Sequence, residues 1–242
     1  VPKVDGGNLH TVVLRPDGTV WAFGRNDTYQ LGNTLTQDGG NPGQVRADNI
    51  ITDRTWMDFT TTSGAVEQRW FLTNIRSISA GLKHTLALSH NGYVYAWGDN
   101  TYGQLGNGTT TVGTQAVQVL AGSDVRPQDV EILTDANGVE GKYLKNIIAV
   151  AAGDYFSLAL TKDGYVYAWG KNDALQMGNG WYFSGAAGSS AAAGNQNTKA
   201  NLVHSGLASG MAPVGEAYSY LTHIVSIAAG GDHAVALRNN GT

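Results

Sequence analysis

Apolar residues alternate with small or polar residues in short runs along this chain. Leu86 and Leu88 lie two positions apart, with Ala87 between them and Thr85 before them. Leu158 and Leu160 repeat the arrangement further on. A period of two is typical of a β-strand, because successive side chains point to opposite faces of a sheet. Internal glycines and β-branched or aromatic residues disfavour helices here. The pattern predicts an all-β chain.

Each of these strands is followed by a turn signal. The turns end in Asp17-Gly18, Asn91-Gly92 and Asp163-Gly164. Asn-Gly or Asp-Gly between two apolar runs is a strong hairpin signal. We therefore expect Gly18, Gly92 and Gly164 to be structural residues of hairpin turns.

The strand after each turn has one bulky and one nearly flat face. Tyr93, Tyr95 and Trp97 point to one side in the second copy, and the residues between them are smaller. A flat face lets a neighbouring sheet approach closely, and an aromatic face fills the space that twist creates. Trp97, and Trp169 at the same position of the third copy, are predicted to be core residues.

The pattern is a tandem repeat. Residues 7–33, 81–107 and 153–179 match one another, and a fourth copy opens at Gly230. A run of apolar and small residues precedes the copies, as at residues 75–80, and we expect it to form a tightly packed inner strand. The expected units are residues 1–74, 75–146 and 147–223, with residues 224–242 as the first two strands of a fourth.

These motifs closely resemble the repeat of the regulator of chromosome condensation family. The resemblance rests on a Gly-x-x-His-Thr strand, a glycine turn, a Val-Tyr-Ala-Trp-Gly strand and an Asn-x-x-Gly-Gln-Leu-Gly loop, all present at residues 81–106. It implies a β-propeller of four-stranded antiparallel blades, with three full blades plus the start of a fourth. Such a number does not close a ring. We expect one propeller domain whose further blades come from the same longer chain or from another subunit.

Each expected blade carries an insertion. Residues 34–74, 108–146 and 180–223 are longer than the resemblance requires, and insertions in repeat proteins map to one face. Their aromatic residues either close small satellite cores or serve as binding anchors. The candidate binding residues are Trp56, Trp70, Trp181, Tyr182 and Phe183.

A shared histidine position raises the question of metal binding or catalysis. His10, His84 and His233 occupy it, but the third copy has Phe156. A position that accepts phenylalanine is better explained as structural, with the imidazole hydrogen-bonding a turn. Acidic residues such as Asp53 and Asp129 lack the context of a calcium or glycosidase site. We expect no metal, no cofactor and no enzymatic activity.

Composition narrows the functional classes. The net charge is −4, from 15 basic and 19 acidic residues, without the basic patch that nucleic-acid binding needs. No apolar stretch is long enough to span a bilayer. We therefore expect that the chain neither binds nucleic acid nor inserts into a membrane. The absence of cysteine and the 14% charged residues favour an extracellular or cell-surface protein of bacterial or viral origin.

These observations predict a non-enzymatic structural or binding module that contacts a protein or glycan through its insertions. The alternative that the family resemblance implies is a regulator of a small GTPase that acts as a guanine-nucleotide exchange factor. A secreted enzyme inhibitor is a further alternative.

Overall fold

The computed structural model describes residues 2–35, 37–48, 52–60, 65–134, 140–173, 175–178, 197–205 and 219–242. Apart from one 3-10 helix, Pro127–Asp129, the regular elements of these residues are strands. In chain order the strands are β1 (Lys3–Gly6), β2 (His10–Leu14), β3 (Val20–Gly24), β4 (Gly39–Gln44), β5 (Arg54–Thr60), β6 (Val66–Leu72), β7 (Ile75–Ala80), β8 (His84–Ser89), β9 (Val94–Gly98), β10 (Gly113–Gln118), β11 (Val130–Thr134), β12 (Glu140–Leu144), β13 (Ile147–Ala152), β14 (Phe156–Thr161), β15 (Val166–Gly170), β16 (Asn197–Leu202), β17 (Ile224–Ala229) and β18 (Ala234–Arg238).

The strands form three four-stranded sheets with the same simple order. Sheet 1 is β1-β2-β3-β4, sheet 2 is β7-β8-β9-β10 and sheet 3 is β13-β14-β15-β16. Neighbouring strands in each sheet are antiparallel. A two-stranded sheet, β17-β18, follows and is called the terminal hairpin below. The predictions of an all-β chain and of four-stranded antiparallel sheets are confirmed.

The sheets pack face to face in chain order. Val12 and Val20 of sheet 1, with Leu31 of the loop that follows β3, share a buried cluster with Tyr95 and Trp97 of sheet 2. The opposite face of sheet 2 contributes residues such as Leu86 and Val94 to a second cluster, shared with sheet 3. Strand β9 is therefore buried on both faces, as its bulky and flat sides predict.

The first strands of successive sheets lie beside one another. Strand β7 contacts β1 and β13, and β13 contacts β17. Hydrogen bonds join these strands: the Ala80 amide donates to the Asp5 carboxylate at 3.1 Å, and the Ala152 amide donates to Ser79 Oγ at 3.1 Å. The sheets therefore share an inner edge formed by their first strands.

The turns between second and third strands need glycine. Gly18, Gly92 and Gly164 have φ angles of +80°, +82° and +80°, a region that side chains with a Cβ rarely adopt. In each turn the glycine amide bonds back to the carbonyl three residues earlier. A left-handed glycine at the end of a three-residue loop is a common arrangement in β-hairpins.

The insertion stretches contain two different structures. They include the fourth strands β4, β10 and β16, which the strand pattern did not separate from the insertions. After them come two further hairpins, β5–β6 and β11–β12, called here the first and second insertion hairpins. Among the described residues, no helix has the length and hydropathy needed to cross a bilayer.

Candidate functional site

The histidines at the shared repeat position join neighbouring sheets. His10 Nε2 lies 3.1 Å from Thr85 Oγ1, and His84 Nε2 lies 3.0 Å from Ser157 Oγ. The expectation that these rings bond a turn was wrong. Stacking brings each ring against a hydroxyl on the second strand of the following sheet instead. His233, on the terminal hairpin, is exposed.

The direction of one of these hydrogen bonds follows from its surroundings. Ser157 Oγ donates its hydrogen to the Gln104 carbonyl at 2.9 Å, so its oxygen is left to accept from His84 Nε2. Burial lowers the pKa of His10 and of His84 to about 4, although Asp5 and Asp99 act in the opposite direction. Both imidazoles are therefore neutral at pH 7 and act as connectors between sheets.

The third copy replaces both members of this pair. Phe156 is fully buried at the histidine position. Thr85 and Ser157 directly follow the shared histidine position, and in the terminal hairpin the residue at that place is Ala234, which has no hydroxyl. A ring without a donor therefore occurs where the neighbouring strand offers no acceptor.

The repeat tryptophans lock a loop of the preceding sheet. Trp97 Nε1 donates to the Gln30 carbonyl at 3.0 Å, and Trp169 Nε1 donates to the Gln104 carbonyl at 2.8 Å. Gly106, two residues after Gln104, has no room for a side chain, because a Cβ there would lie 2.8 Å from Nε1 of Trp169. Both tryptophans are fully buried and form part of the sheet interfaces.

A buried carboxylate fixes the base of the first insertion hairpin. Asp53 is 4% exposed and accepts from the Tyr95 hydroxyl and from the Asn74 and Asn91 side-chain amides, each at 2.7 Å. Burial raises the pKa of Tyr95 above its ordinary value, and the adjacent carboxylate adds to this effect. The phenol therefore stays protonated and donates.

A second carboxylate has the same role one repeat later. Asp129 is fully buried and accepts from the Tyr167 hydroxyl at 3.0 Å, while Arg126 Nε lies 3.3 Å away. Burial raises the pKa of Asp129, and the bonds from Tyr167 and Arg126 oppose the shift. Sequence reasoning had set Asp53 and Asp129 aside. Asp53 and Asp129 lie 42 and 38 residues before their tyrosines, so no constant spacing in the sequence marked them as equivalent.

The first insertion hairpin presents large apolar side chains to solvent. Trp56 is 50% exposed, Met57 40% and Val66 64%. Trp70, opposite Trp56 in the hairpin register, packs instead against the core between sheets 1 and 2. The Arg54 guanidinium lies 3.9 Å from the centre of its ring. Of the two predicted anchors on this hairpin, Trp56 is available to a partner, whereas the position of Trp70 favours packing.

The remaining predicted anchors, Trp181, Tyr182 and Phe183, lie outside the described residues. Where the third insertion is described, His204 Nε2 lies 2.8 Å from Asp124, whose other oxygen accepts from the Tyr220 hydroxyl at 2.9 Å. These bonds tie the third insertion to the second. Among the described residues, no three His, Cys, Asp or Glu side chains are placed to share a metal ion.

Comparison with known proteins shows to which family of repeats these sheets belong. Two family models described as the regulator of chromosome condensation (RCC1) repeat match the chain, one at residues 17–54 and 91–160 and the other at residues 3–30, 75–104 and 147–176. Together they span more than half of the chain. The chain belongs to the RCC1 repeat family.

Relatives within this family are similar over most of the chain. It is 28% identical to human E3 ubiquitin-protein ligase HERC2 over an alignment that covers 73% of the chain and 4% of HERC2. Protein pim1 of Schizosaccharomyces pombe is 30% identical over 74% of the chain and 28% of pim1. Protein RCC1 of Candida albicans is 36% identical over 46% of the chain and 21% of that protein. The chain thus spans under a third of each.

Solved structures share the fold. Human WBSCR16 superposes with a TM-score of 0.57 at 19% identity, over 96% of this chain and 43% of that one. Yeast RCC1 (Prp20), solved bound to Kap60, superposes with a TM-score of 0.53 at 21% identity, over 98% of this chain and 41% of that one. The similarity supports the family's propeller architecture, while the three sheets and the terminal hairpin do not close a ring.

The comparisons overturn the expected extracellular or cell-surface location. The relatives include RCC1 and pim1. The crystal structure of yeast Prp20p was described together with its binding to Gsp1p and histones, and histones are intracellular proteins. The expectation was wrong because low charge and the absence of cysteine describe surface and redox chemistry, and they do not specify a compartment.

Proposed function

We propose that this chain is a non-enzymatic protein-binding module that contacts its partner through the insertion hairpins. The observation that carries the proposal is the exposure of Trp56, Met57 and Val66 on the first insertion hairpin. In the hairpin register Trp56 and Val66 lie on one face and Met57 lies on the other, because successive residues of a strand point to opposite faces. Tryptophan is among the residues that most often dominate binding energy.

The anchoring of the hairpin supports this role. Asp53 accepts from Tyr95 of sheet 2 and from Asn74, just after the end of β6, so the base of the hairpin is fixed to the sheets. A rigid element loses less conformational entropy when it binds. The first insertion hairpin is therefore a preorganised projection that presents an aromatic side chain.

The second insertion hairpin has a similar anchor but a different surface. Asp129 holds its base through Tyr167, and among its described residues the large apolar side chain exposed to solvent is Ile132, at 57%. A common support with different exposed residues is the arrangement expected when loops on a scaffold determine specificity. We propose that the two hairpins contact different parts of one partner surface.

We also propose that the sheets are consecutive blades of one propeller domain. The proposed units remain residues 1–74, 75–146 and 147–223, with residues 224–242 beginning a fourth. Support comes from the shared inner edge of the first strands and from the RCC1-type structures. The remaining blades are supplied by the same longer chain or by another subunit.

The binding proposal is tested by placing a photocrosslinking amino acid at position 56, with position 148 as the matched control. Ile148 is 45% exposed and lies on β13 of sheet 3, outside both insertion hairpins. We expect a partner to crosslink at position 56 only. With that partner purified, Trp56→Ala should weaken binding about thirtyfold, which corresponds to about 2 kcal/mol, and Ile148→Ala should leave it unchanged. Equal affinities for the two variants would reject the proposal.

A second candidate is a regulator of a small GTPase, which the 36% identity to Candida albicans RCC1 favours. Release of fluorescent GDP from a panel of small GTPases would test it. Acceleration by the chain that persists in Trp56→Ala would support exchange activity and place it away from the first insertion hairpin. No acceleration of any member would exclude this candidate.

A further inference from the structure

A polar cavity lies where the second insertion hairpin meets sheet 3. Its volume is about 640 Å³, and its walls come from residues 120–123, from residues 140–142 of β12 and from β16. This volume lies within the range of pockets that hold small molecules. The cavity is called the lysine cavity below, because Lys142 and Lys199 both line it.

Hydrogen bonds identify the matching place one repeat earlier. The Ala121 amide donates to the Lys142 carbonyl at 2.8 Å, and the Ala47 amide donates to the Trp70 carbonyl at 3.0 Å. Lys142 therefore stands at the position of Trp70, which packs against the core between sheets 1 and 2. The same alignment places two glycines of the cavity wall at positions that have larger side chains in the first insertion: Gly122 at that of Asp48 and Gly141 at that of Arg69.

The second lysine also replaces an uncharged residue. Ala200 of β16 and Ala116 of β10 form the same parallel bridge to the segment that follows the fourth strand of the preceding sheet. Lys199, one residue before Ala200, therefore matches Gln115. Both positive charges are specific to this place in the molecule.

The wall of the cavity is fixed by the chain itself. Asn201 Oδ1 accepts from the Asp124 amide, and Asn201 Nδ2 donates to the Lys199 carbonyl, both at 3.1 Å. A Cβ at Gly122 would overlap Asn201 Oδ1, so glycine at this position lets the two walls approach without filling the space between them.

Donors without acceptors line this cavity. In the part of the chain that the structure describes, Lys142 and Lys199 form no ion pair. Asn197 lines the cavity as well, and its Nδ2 is buried without a hydrogen-bond partner among these residues. A buried donor without an acceptor is unfavourable, and an ammonium group donates but does not accept. The lining therefore suits a ligand that is rich in acceptor oxygens.

Charge selects among such ligands. A phosphate monoester carries about −1.5 to −2 charges at pH 7 and has three strong acceptor oxygens, which matches two ammonium groups better than a single carboxylate does. Glu140 also lines the cavity and accepts hydrogen bonds. Its negative charge disfavours ligands that are anionic along their whole length.

We propose that the lysine cavity binds a phosphate monoester. Lys142 and Lys199 bind the phosphate oxygens, Asn197 donates to them from the wall, and Glu140 accepts from a hydroxyl or amide group on the rest of the ligand. The ester is carried by a small sugar or by a phosphorylated side chain, and the phosphate chemistry is the same for both. Trp56 is not part of the lining, so the inference is independent of the hairpin proposal.

The test titrates the 242-residue chain with two phosphorylated probes, glucose 6-phosphate and the peptide Gly-phosphoserine-Gly, by isothermal titration calorimetry. Glucose and the unphosphorylated peptide are the matched controls and should not bind. We expect saturable one-to-one binding of at least one phosphorylated probe. Binding of the sugar phosphate alone would assign a small molecule, binding of the peptide alone a modified protein, and binding of both the phosphate group itself. No binding of either would overturn the proposal.

Two variants introduce the residues of the matching place. Lys142→Trp and Lys199→Gln should each weaken binding of the phosphorylated probe by about tenfold or more, because a charge-assisted hydrogen bond is lost. Trp70 and Gln115 occupy these positions one repeat earlier, so both replacements are compatible with the local backbone. Urea unfolding checks that each variant is folded.

The control variant is Lys162→Gln, which removes the same charge from an exposed lysine outside the cavity lining. It should leave binding unchanged, as should Trp56→Ala. An equal loss of affinity in Lys162→Gln would overturn the proposal, because it would show general attraction of phosphate to the protein. Equal binding of phosphorylated and unphosphorylated probes would also overturn it, and that comparison does not depend on how the variants fold.

Discussion

At the scale of single residues, one repeat position is filled by two chemically different side chains. His84 is neutral and buried, and its Nε2 bonds Ser157 of the next sheet. Phe156 is buried at the same position in the following copy, where the facing position is Ala234. A buried donor needs an acceptor, whereas an apolar pair needs none. The identity of the ring is therefore set by the strand that it faces.

This reasoning predicts energetic coupling between His84 and Ser157. Ser157→Ala alone should lower the free energy of unfolding by about 1–3 kcal/mol, because the His84 N–H loses its acceptor. The double variant His84→Phe with Ser157→Ala reproduces the pair of the third copy and should cost less than the sum of the single changes. Urea unfolding of the four proteins measures the coupling. Strict additivity would contradict it.

The buried histidines also predict a pH dependence. Their pKa is about 4 in the folded chain against an ordinary value of 6.5, so the folded state binds fewer protons between these values. Stability from His10 and His84 is therefore complete above pH 6.5 and is lost as the pH falls toward 4. As the pH falls from about 7.5 to 5, each of the two histidines should lower the free energy of unfolding by about 2 kcal/mol. Measured by urea unfolding across this range, the free energy of unfolding should fall less for the double variant His84→Phe with Ser157→Ala than for the unchanged chain. An identical fall would show that His84 does not contribute to the pH dependence.

At the scale of elements, the insertion hairpins depend on carboxylates that belong to neither hairpin. Asp53 and Asp129 precede β5 and β11, and their acceptor oxygens bind tyrosines of the next sheet. Isolated two-stranded hairpins are marginally stable in water. The bonds to Tyr95 and Tyr167 therefore hold each hairpin in a fixed position on the scaffold.

Asp53→Ala should loosen the first insertion hairpin. Its three donors lose a buried acceptor, so amide hydrogens at the base of β5 and β6 should exchange at least about tenfold faster, since local opening becomes easier by more than 1.4 kcal/mol. The matched variant Asp129→Ala should affect β11 and β12 instead. Hydrogen exchange measured by NMR distinguishes the two hairpins. If either variant exchanged faster in both hairpins, the effect of each carboxylate would not be confined to its own hairpin.

At the scale of the whole molecule, stability depends on how many faces of a sheet are covered. Sheet 2 is packed on both faces, and its strands β8 and β9 are buried throughout. The terminal hairpin is covered by sheet 3 on one side, and most of β18 is exposed. In repeat proteins, stability is approximately the sum of the intrinsic and nearest-neighbour terms of the units.

Protection from hydrogen exchange should therefore fall from sheet 2 to the terminal hairpin. Amides of β8 and β9 should exchange only through global unfolding, whereas those of β17 and β18 should open locally, with protection at least about a hundredfold lower. Mass spectrometry of exchanged peptides measures this gradient. Equal protection at the two places would mean that the sheets unfold as one unit and that neighbour contacts do not control local stability.

Several features were predictable because they are local. Strand alternation located β8, β9 and β14, and the Asn-Gly and Asp-Gly pairs located the turn glycines Gly92 and Gly164. The fourth strands were not separated from the insertions, because strands such as β4, Gly39–Gln44, contain glycine and proline and no apolar alternation. The role of Asp53 was also missed, since its partner Tyr95 lies 42 residues further along the chain.

The sequence by itself determined the all-β character, the repeat and its hairpins, because alternation, turn residues and periodicity act over a few neighbouring positions. Tertiary structure alone decided which ring meets which hydroxyl, and that Trp70 packs while Trp56 faces solvent. These outcomes depend on the stacking of sheets. Stacking brings together residues about one repeat apart, and no local pattern records which of them come into contact.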